Sequence, residues 1–286
     1  MIENLFTHIY DETNEYLTVC LVYEHDSVWQ FADQWGNIDS LKHVIQTYHG
    51  DKQLIVCLMG VNNLTGEIFP ITEIGKLCHQ HDAFYICDMT AMIGKAQIPT
   101  NIDQWCDCAV WSGHKLGTEL GIGAMWISDR LDKWLNGFKL HGTPNLAGTL
   151  ALTQAVEDVC DTKTIEKNNF HWVKLANKFG GLLNKNNIKH TFVPFVLDDY
   201  TTAINAIRLP GFNADALQQY LASKQIYVSI GGSACAEKHD YRVLNAYGLS
   251  NDEASEVIRV SFGEDNSIED VEALVDGIKN FKELYL

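Results

Sequence analysis

"LIVCLMGVNNLTGEIFPITEIGKLCHQHDAFYIC", Leu54 to Cys87, decides the architecture. It opens on a short, nearly continuous apolar run, carries apolar residues at helical spacing through "ITEIGKLCHQH", and closes on a second apolar run, "AFYIC". Runs of this length without polar alternation suit strands buried on both faces, and strand, helix, strand is the unit of a mostly parallel sheet. The pattern extends both ways. Upstream lie "LTVCLVY" (Leu17 to Tyr23) and the helical "SLKHVIQTY"; downstream lie "CDCAVWS" (Cys106 to Ser112) and "IGAMWIS" (Ile122 to Ser128). From Thr149 to Leu183 the chain reads as one or two long helices, and after Gly180-Gly181 as a mixed α+β segment. The reading is α/β, with a large domain over 1–185 and a small C-terminal domain over 186–286. Asn266-Ser267 before "IEDVE" predicts an N-cap with acids in the first turn.

Composition narrows the classes. A net charge of −16, from 21 Lys and Arg against 37 Asp and Glu, argues against nucleic acid as a partner, because phosphate binding needs a clustered basic surface. No stretch approaches the roughly 18 consecutive apolar residues of a membrane span, and "MIENLFTHIYDETNEYL" lacks the basic start and apolar core of a signal peptide. The expected location is cytoplasmic, without membrane association. Eight cysteines agree if reduced, since Cys57, Cys87 and Cys108 lie inside strand-like runs where a thiol packs as a small hydrophobe. Cys106 and Cys108 are too close for a zinc-binding arm, and no second pair completes four ligands.

Ligands of open α/β sheets bind beyond the carboxyl ends of the strands, so polar residues that end apolar runs are the candidates. Asn62 and Asn63 follow "LIVCLMGV", Asp88 ends "FYIC", Ser112, His114 and Lys115 follow "CAVW", and Cys235 follows "YVSIGGSA". Each has a purely structural reading: a turn, a helix cap, a solvated turn residue, a core thiol. Their order points further. A carboxylate at one strand end and a lysine at another form the pair that pyridoxal phosphate chemistry requires, the amine forming a Schiff base with the aldehyde and the carboxylate keeping the pyridine nitrogen protonated.

The run from Leu54 to Ile127 resembles the core of the class V aminotransferase superfamily of fold-type I pyridoxal phosphate enzymes, and within it the cysteine desulfurases. The likeness is carried by "NNLTG", by Asp88 followed by "GKAQIP", and by "SGHK" with its Gly-rich turn; further on, "GGSACAEKHDYRVLNAYGL" and "VIRVSFGEDNSIEDVEALV" also match. It spans roughly residues 17–286. The resemblance implies that Lys115 holds the cofactor aldehyde and then moves the proton at the substrate α-carbon, and that Asp88 pairs with the pyridine nitrogen. It implies that His25, in "YEH", stacks on the ring, that Asn62 hydrogen-bonds the ring hydroxyl or the substrate carboxylate region, and that Ser112 and His114 hold the phosphate. Arg259 is implied to clamp the substrate α-carboxylate, and Thr149 of Gly148-Thr149 to reach the phosphate of a neighbouring subunit, hence a homodimer. Cys235 is implied to take sulfur from L-cysteine as a persulfide, leaving L-alanine, and to pass it to an acceptor protein or small molecule. Lys238, His239 and the following helix are local candidates for lowering its thiol pKa.

Departures from the family pattern are specific. The resemblance starts past the family's N-terminal phosphate-binding loop, "MIENLFTHIY" resembling the helix that follows it. The family's Gln after the Asp is Ala91 here, and the Arg-rich segment before Gly-Thr is reduced to "HGTPNLAGT". Four arrangements fit these residues: a compact desulfurase that holds the phosphate with a partner subunit; another class V lyase, aminotransferase or decarboxylase in which Cys235 is a bystander; a subunit completed by a separate N-terminal partner chain; and an inactive scaffold.

Overall fold

The computed structural model describes residues 2–12, 15–137, 143, 145–194, 199–231 and 240–285. It divides into two compact units, the first made of 1–62 and 68–165, the second of 63–67 and 166–286. The first unit contains α1 (Ile2–Glu12), β1 (Tyr16–Leu21), α2 (Asp26–Trp29), β2 (Gln34–Gly36), α3 (Ile38–Thr47), β3 (Gln53–Cys57), α4 (Ile71–Gln80), β4 (Phe84–Asp88), β5 (Cys108–Ser112), β6 (Gly123–Ile127), α5 (Asp129–Trp134) and α6 (Leu146–Cys160). Its sheet runs β2-β1-β3-β4-β5-β6, parallel throughout except for β6, which pairs antiparallel with β5.

Both faces of this sheet are covered, as the continuous apolar runs require. α1 buries Ile2, Leu5, Phe6 and Ile9 against Cys20, Ile55, Cys57, Ile86, Cys108 and Val110 on alternate strand positions. On the opposite side, α3 buries Leu41 and Ile45, and α4 buries Ile71, Ile74, Gly75 and Cys78. All seven described cysteines are free thiols, six of them buried. Among the described residues, no helix is long and apolar enough to cross a membrane.

Between Cys106 and Cys108 sits Asp107, which is 1% exposed and organises the amino ends of β4 and β5. Its carboxylate accepts from Tyr85 N–H at 2.9 Å, Arg130 Nη1 at 2.9 and 3.1 Å, and Ser128 Oγ at 3.1 Å, with His79 Nε2 at 3.1 Å. The Arg130 guanidinium also lies 4.3 Å from the centre of the Phe84 ring. Ser128 passes the order on, because its Oγ accepts from Leu131 N–H and caps α5.

The second unit contains α7 (Thr162–Lys185), β7 (Thr191–Val193), β8 (Ile204–Arg208), α8 (Ala214–Ser223), β9 (Ser229–Ile230), α9 (Arg242–Ala246), α10 (Asn251–Ala254), β10 (Val257–Ser261) and α11 (Ile268–Tyr285). Its antiparallel sheet has the order β7-β8-β10-β9. The sequence pattern puts α7 with the first domain, whereas the structure places nearly all of it in the second unit. His171 Nε2 lies 2.8 Å from Asn266 O, Lys178 pairs with Glu272 at 2.7 Å, and Trp172, Leu175, Phe179 and Leu183 are buried. Helical periodicity shows that α7 has an apolar face but not which neighbour covers it. The predicted cap of α11 is present and reciprocal, Ser267 N–H donating to the Asp270 carboxylate and Asp270 N–H to Ser267 Oγ.

Candidate active site

In the first unit the strand order places β1 between β2 and β3, so the chain leaves β1 to one side and returns on the other. The carboxyl ends around such a reversal form the natural ligand crevice of an open α/β sheet. Asp88 is the last residue of β4 and pairs with Val110 of β5. β5 continues to Ser112 and turns into a 3₁₀ helix, Gly113–Leu116, that carries Lys115. Asp88 and Lys115 therefore emerge from neighbouring strands at one end of the sheet. Gly113 makes the turn possible, since a Cβ there would stand 2.4 Å from Thr118 Oγ1 and 2.9 Å from Ile122 Cγ2. The turn is closed by Gly113 N–H on Ile122 O at 2.9 Å.

The Asp88 carboxylate is oriented by its own turn, one oxygen accepting from Thr90 N–H at 2.9 Å while the side chain stays partly exposed. Lys115 and His114 are exposed and Ser112 is partly buried. Desolvation and then the Lys115 charge hold His114 below its ordinary value, so its imidazole is neutral at neutral pH and can donate one N–H. Beyond β3, Asn62 is fully buried, and Gly60 N–H donates to Asp88 O at 2.9 Å, keeping this segment alongside β4. His25 caps α2, its Nδ1 accepting from Ser27 N–H at 3.2 Å. Beside it, buried Glu24 accepts from Met59 N–H at 2.6 Å and ties the ends of β1 and β3 together. α6 packs against the Lys115 turn and carries Thr149, which is exposed and whose Oγ1 donates to Asn145 O at 2.9 Å.

In the second unit, Arg259 stands on β10 opposite Ala206 on one side and Ser229 on the other. Its guanidinium is fixed at two points, Nη1 donating to Asn63 O at 2.8 Å and Nη2 to Ser229 Oγ at 2.9 Å. Asn63 belongs to the five-residue segment that joins this unit. That segment is held by Thr201 N–H on Gly66 O at 2.9 Å, by Leu64 in the cluster with Val193, Leu244 and Val257, and by the Tyr247 hydroxyl, which donates to Glu67. Burial raises the Glu67 carboxyl, opposed by that hydrogen bond. Cys235, Lys238 and His239 lie outside the described residues.

The family model described as Aminotransferase class-V matches residues 28–274. The chain belongs to this family. Among curated relatives, it is 30% identical over 240 residues to the cysteine desulfurase IscS of Mannheimia succiniciproducens, covering 79% of this chain and 57% of that protein. It is 29% identical over 261 residues to the putative cysteine desulfurase IscS 1 of Bacillus subtilis, covering 86% and 66%. The chain thus spans less than two thirds of the length of these relatives. Among solved structures it resembles a NifS-like protein with a TM-score of 0.81 at 19% identity, covering 99% of this chain and 79% of the other. The apo cysteine desulfurase of Thermococcus onnurineus gives a TM-score of 0.76 at 19% identity, covering 99% and 77%. These likenesses show the fold, the α/β fold-type I architecture expected from the sequence.

Within this class V chain the sequence pattern leaves three side chains without a role. Ser229 reads as one polar residue inside the strand run "IYVSI", and only the β9–β10 register puts its hydroxyl on Arg259. Glu24 carries a signal, a carboxylate between an aromatic residue and His25, yet its bond to Met59 joins strands that lie far apart in sequence. The third, Lys95, stands in the quoted "GKAQIP".

Proposed function

We propose that the protein is a pyridoxal phosphate-dependent cysteine desulfurase, converting L-cysteine to L-alanine and passing the sulfur onward as a persulfide of Cys235. The observation that carries the reading is the emergence of Asp88 and Lys115 from adjacent parallel strands at one end of the sheet, in a chain whose curated relatives include cysteine desulfurases. These residues fit the cofactor: an exposed amine for its aldehyde and, on the next strand, a carboxylate pre-oriented by Thr90. When bound, pyridoxal phosphate supplies that aldehyde and a ring that accepts the electron pair released at the substrate α-carbon.

The chain's own residues do the rest. Asp88 holds a proton on the ring nitrogen, and its fixed oxygen keeps the charge from swinging away. His25 covers the ring face, and Ser112 and neutral His114 donate to phosphate oxygens, whereas Asn62, implied by the resemblance to reach the ring hydroxyl or the substrate carboxylate region, is fully buried. Arg259 binds the substrate α-carboxylate, a bidentate task suited to a planar guanidinium that Asn63 and Ser229 have already oriented. Lys115 moves the proton at the substrate α-carbon. The Cys235 sulfur forms a bond to the substrate sulfur while the carbon–sulfur bond breaks, its electron pair staying on the three-carbon fragment that leaves as alanine. The persulfide is then open to an acceptor protein or small thiol.

The active form is a homodimer. α6 is apolar on most of its surface, and Leu146 and Leu150, one turn apart, are each 72% exposed. A second copy over this helix would remove that surface from water and bring Thr149 to its neighbour's phosphate. Free, reduced thiols accord with a cytoplasmic location.

Cys235→Ala tests the chemistry. With pyridoxal phosphate, L-cysteine and a thiol acceptor, the native chain is expected to form alanine and transferable sulfur in equal amounts, and the variant neither. Pyruvate and sulfide from both proteins would instead mark a lyase, and inactivity of both would mark a scaffold.

A further inference from the structure

The run "VLNAYGL", Val243 to Leu249, ends α9 in a way that fixes one tyrosine. Gly248 has φ +90°, a left-handed conformation that suits glycine and stops the helix. Gly248 N–H donates to Asn245 O at 2.9 Å and Leu249 N–H to Leu244 O at 3.2 Å, which returns Leu249 to the buried cluster of Leu64, Val193, Leu244 and Val257. Tyr247, one residue before the stop, is partly buried with its ring against that cluster. Its hydroxyl meets the segment 63–67 at two residues, Thr65 and Glu67.

Three hydrogen bonds close a circuit there. The Tyr247 hydroxyl donates to the Glu67 carboxylate, and Glu67 N–H donates to Thr65 Oγ1 at 3.4 Å. Thr65 Oγ1 and Tyr247 Oη stand 3.3 Å apart, and because a phenol has one proton, already given to Glu67, Thr65 is the donor in this pair. Thr65 is 1% exposed, so water does not replace a bond lost there. Gly66 lies against the backbone that enters β8, where a Cβ would stand 2.5 Å from Ile204 O and 2.6 Å from Thr201 O. The segment is thus fastened over 64–67, and its first residue, Asn63, presents its carbonyl to Arg259 Nη1 at 2.8 Å.

We propose that Tyr247 is a positioning residue for Arg259: through Thr65 and Glu67 it holds the 63–67 segment, and through the Asn63 carbonyl it sets the plane in which the guanidinium meets the substrate α-carboxylate. Two parallel bonds to a carboxylate form only when that plane is right. Ser229 fixes Nη2 and Asn63 fixes Nη1, so a displaced Asn63 leaves the guanidinium held at Ser229 and free to turn about that bond. Members of such a circuit strengthen one another, and removal of one hydroxyl loosens the whole. The effect falls on binding of the carboxylate rather than on the chemical step. The inference rests on Arg259 being the group that binds the α-carboxylate.

Tyr247→Phe removes the hydroxyl and keeps the ring that packs on the cluster. With pyridoxal phosphate and L-cysteine, its KM is expected to rise about tenfold while kcat stays within about twofold of native. Tyr220→Phe, which removes a hydroxyl from α8 in the same unit, is expected to keep both native values. Phenylglyoxal modification of the full chain, mapped by mass spectrometry, needs no cofactor: Arg259 is expected to react about fivefold faster in Tyr247→Phe, with Arg208 unmoved. An unchanged KM in folded Tyr247→Phe would overturn the proposal, as would a fall in kcat alone or an equal acceleration at Arg208, the mark of general loosening. Should Tyr247→Phe fail to fold, Glu67→Gln decides, since a neutral acceptor holds the hydroxyl less firmly: a KM raised about threefold supports the proposal and a native KM overturns it. Faster Arg259 modification in Tyr247→Phe, with no alanine formed by the native chain, would uphold the positioning of the guanidinium and overturn the reading of its task.

Discussion

Lys115→Ala is expected to reduce alanine formation from L-cysteine by about 10⁴-fold or more, the scale seen when a covalent group is deleted from an enzyme. The size follows from the two tasks proposed for one amine, capturing the cofactor aldehyde and moving the proton at the substrate α-carbon. No other described lysine stands on the turn after β5. The side chain is exposed and takes no part in the buried core, so the variant should fold, and its circular dichroism and melting temperature should match those of the native chain. Residual activity within tenfold of native would mean that the reaction does not pass through this amine.

The second large effect concerns stability. Asp107→Ala is expected to cost about 3–5 kcal/mol, the range for removing one partner from a buried ion pair. Four groups lose a partner together: the Tyr85 N–H, the Ser128 hydroxyl that caps α5, His79, and Arg130, which keeps its bonds to Asp82 and Ala83 O. Arg130 is a third exposed and regains some water, but the Tyr85 N–H is buried and does not. Asp107→Asn keeps one acceptor oxygen and is expected to cost less, about 1–3 kcal/mol. Urea unfolding followed by fluorescence compares the two, and a loss below 1 kcal/mol in the alanine variant would contradict the network. Because Asp107 precedes β5 and Lys115 follows it, any folded fraction of either variant should capture pyridoxal phosphate as the native chain does.

These two residues also show how far the sequence could be read. The place of Lys115 just past a strand end was legible because a polar group ends an apolar run, and a strand buried on both faces leaves few such places. Asp107 was not, since "CDC" draws attention to its thiols while the partners of the carboxylate come from β4, α4 and α5 through tertiary packing. The inner strands β1, β3, β4 and β5 were plain for the same reason as Lys115. The edge strands β2, with Gln34 and Trp35 exposed, and β9, only two residues long, carry too little apolar pattern to stand out. The run of β6 was visible, but its antiparallel sense is set by the hairpin through Gly113 and Ile122, a pairing that periodicity does not encode. The grip of Ser229 and Asn63 on Arg259 likewise depends on register and on a segment far away in the chain.

The most direct test of the central claim is reductive trapping. The full chain is mixed with pyridoxal phosphate, reduced with borohydride, digested and mapped. One pyridoxyl group per chain on the peptide containing Lys115, absent in Lys115→Ala and reduced by prior L-cysteine, is the predicted result. Label spread over exposed lysines, or placed on Lys95 alone, would contradict the assignment of Lys115 as the amine that holds the cofactor.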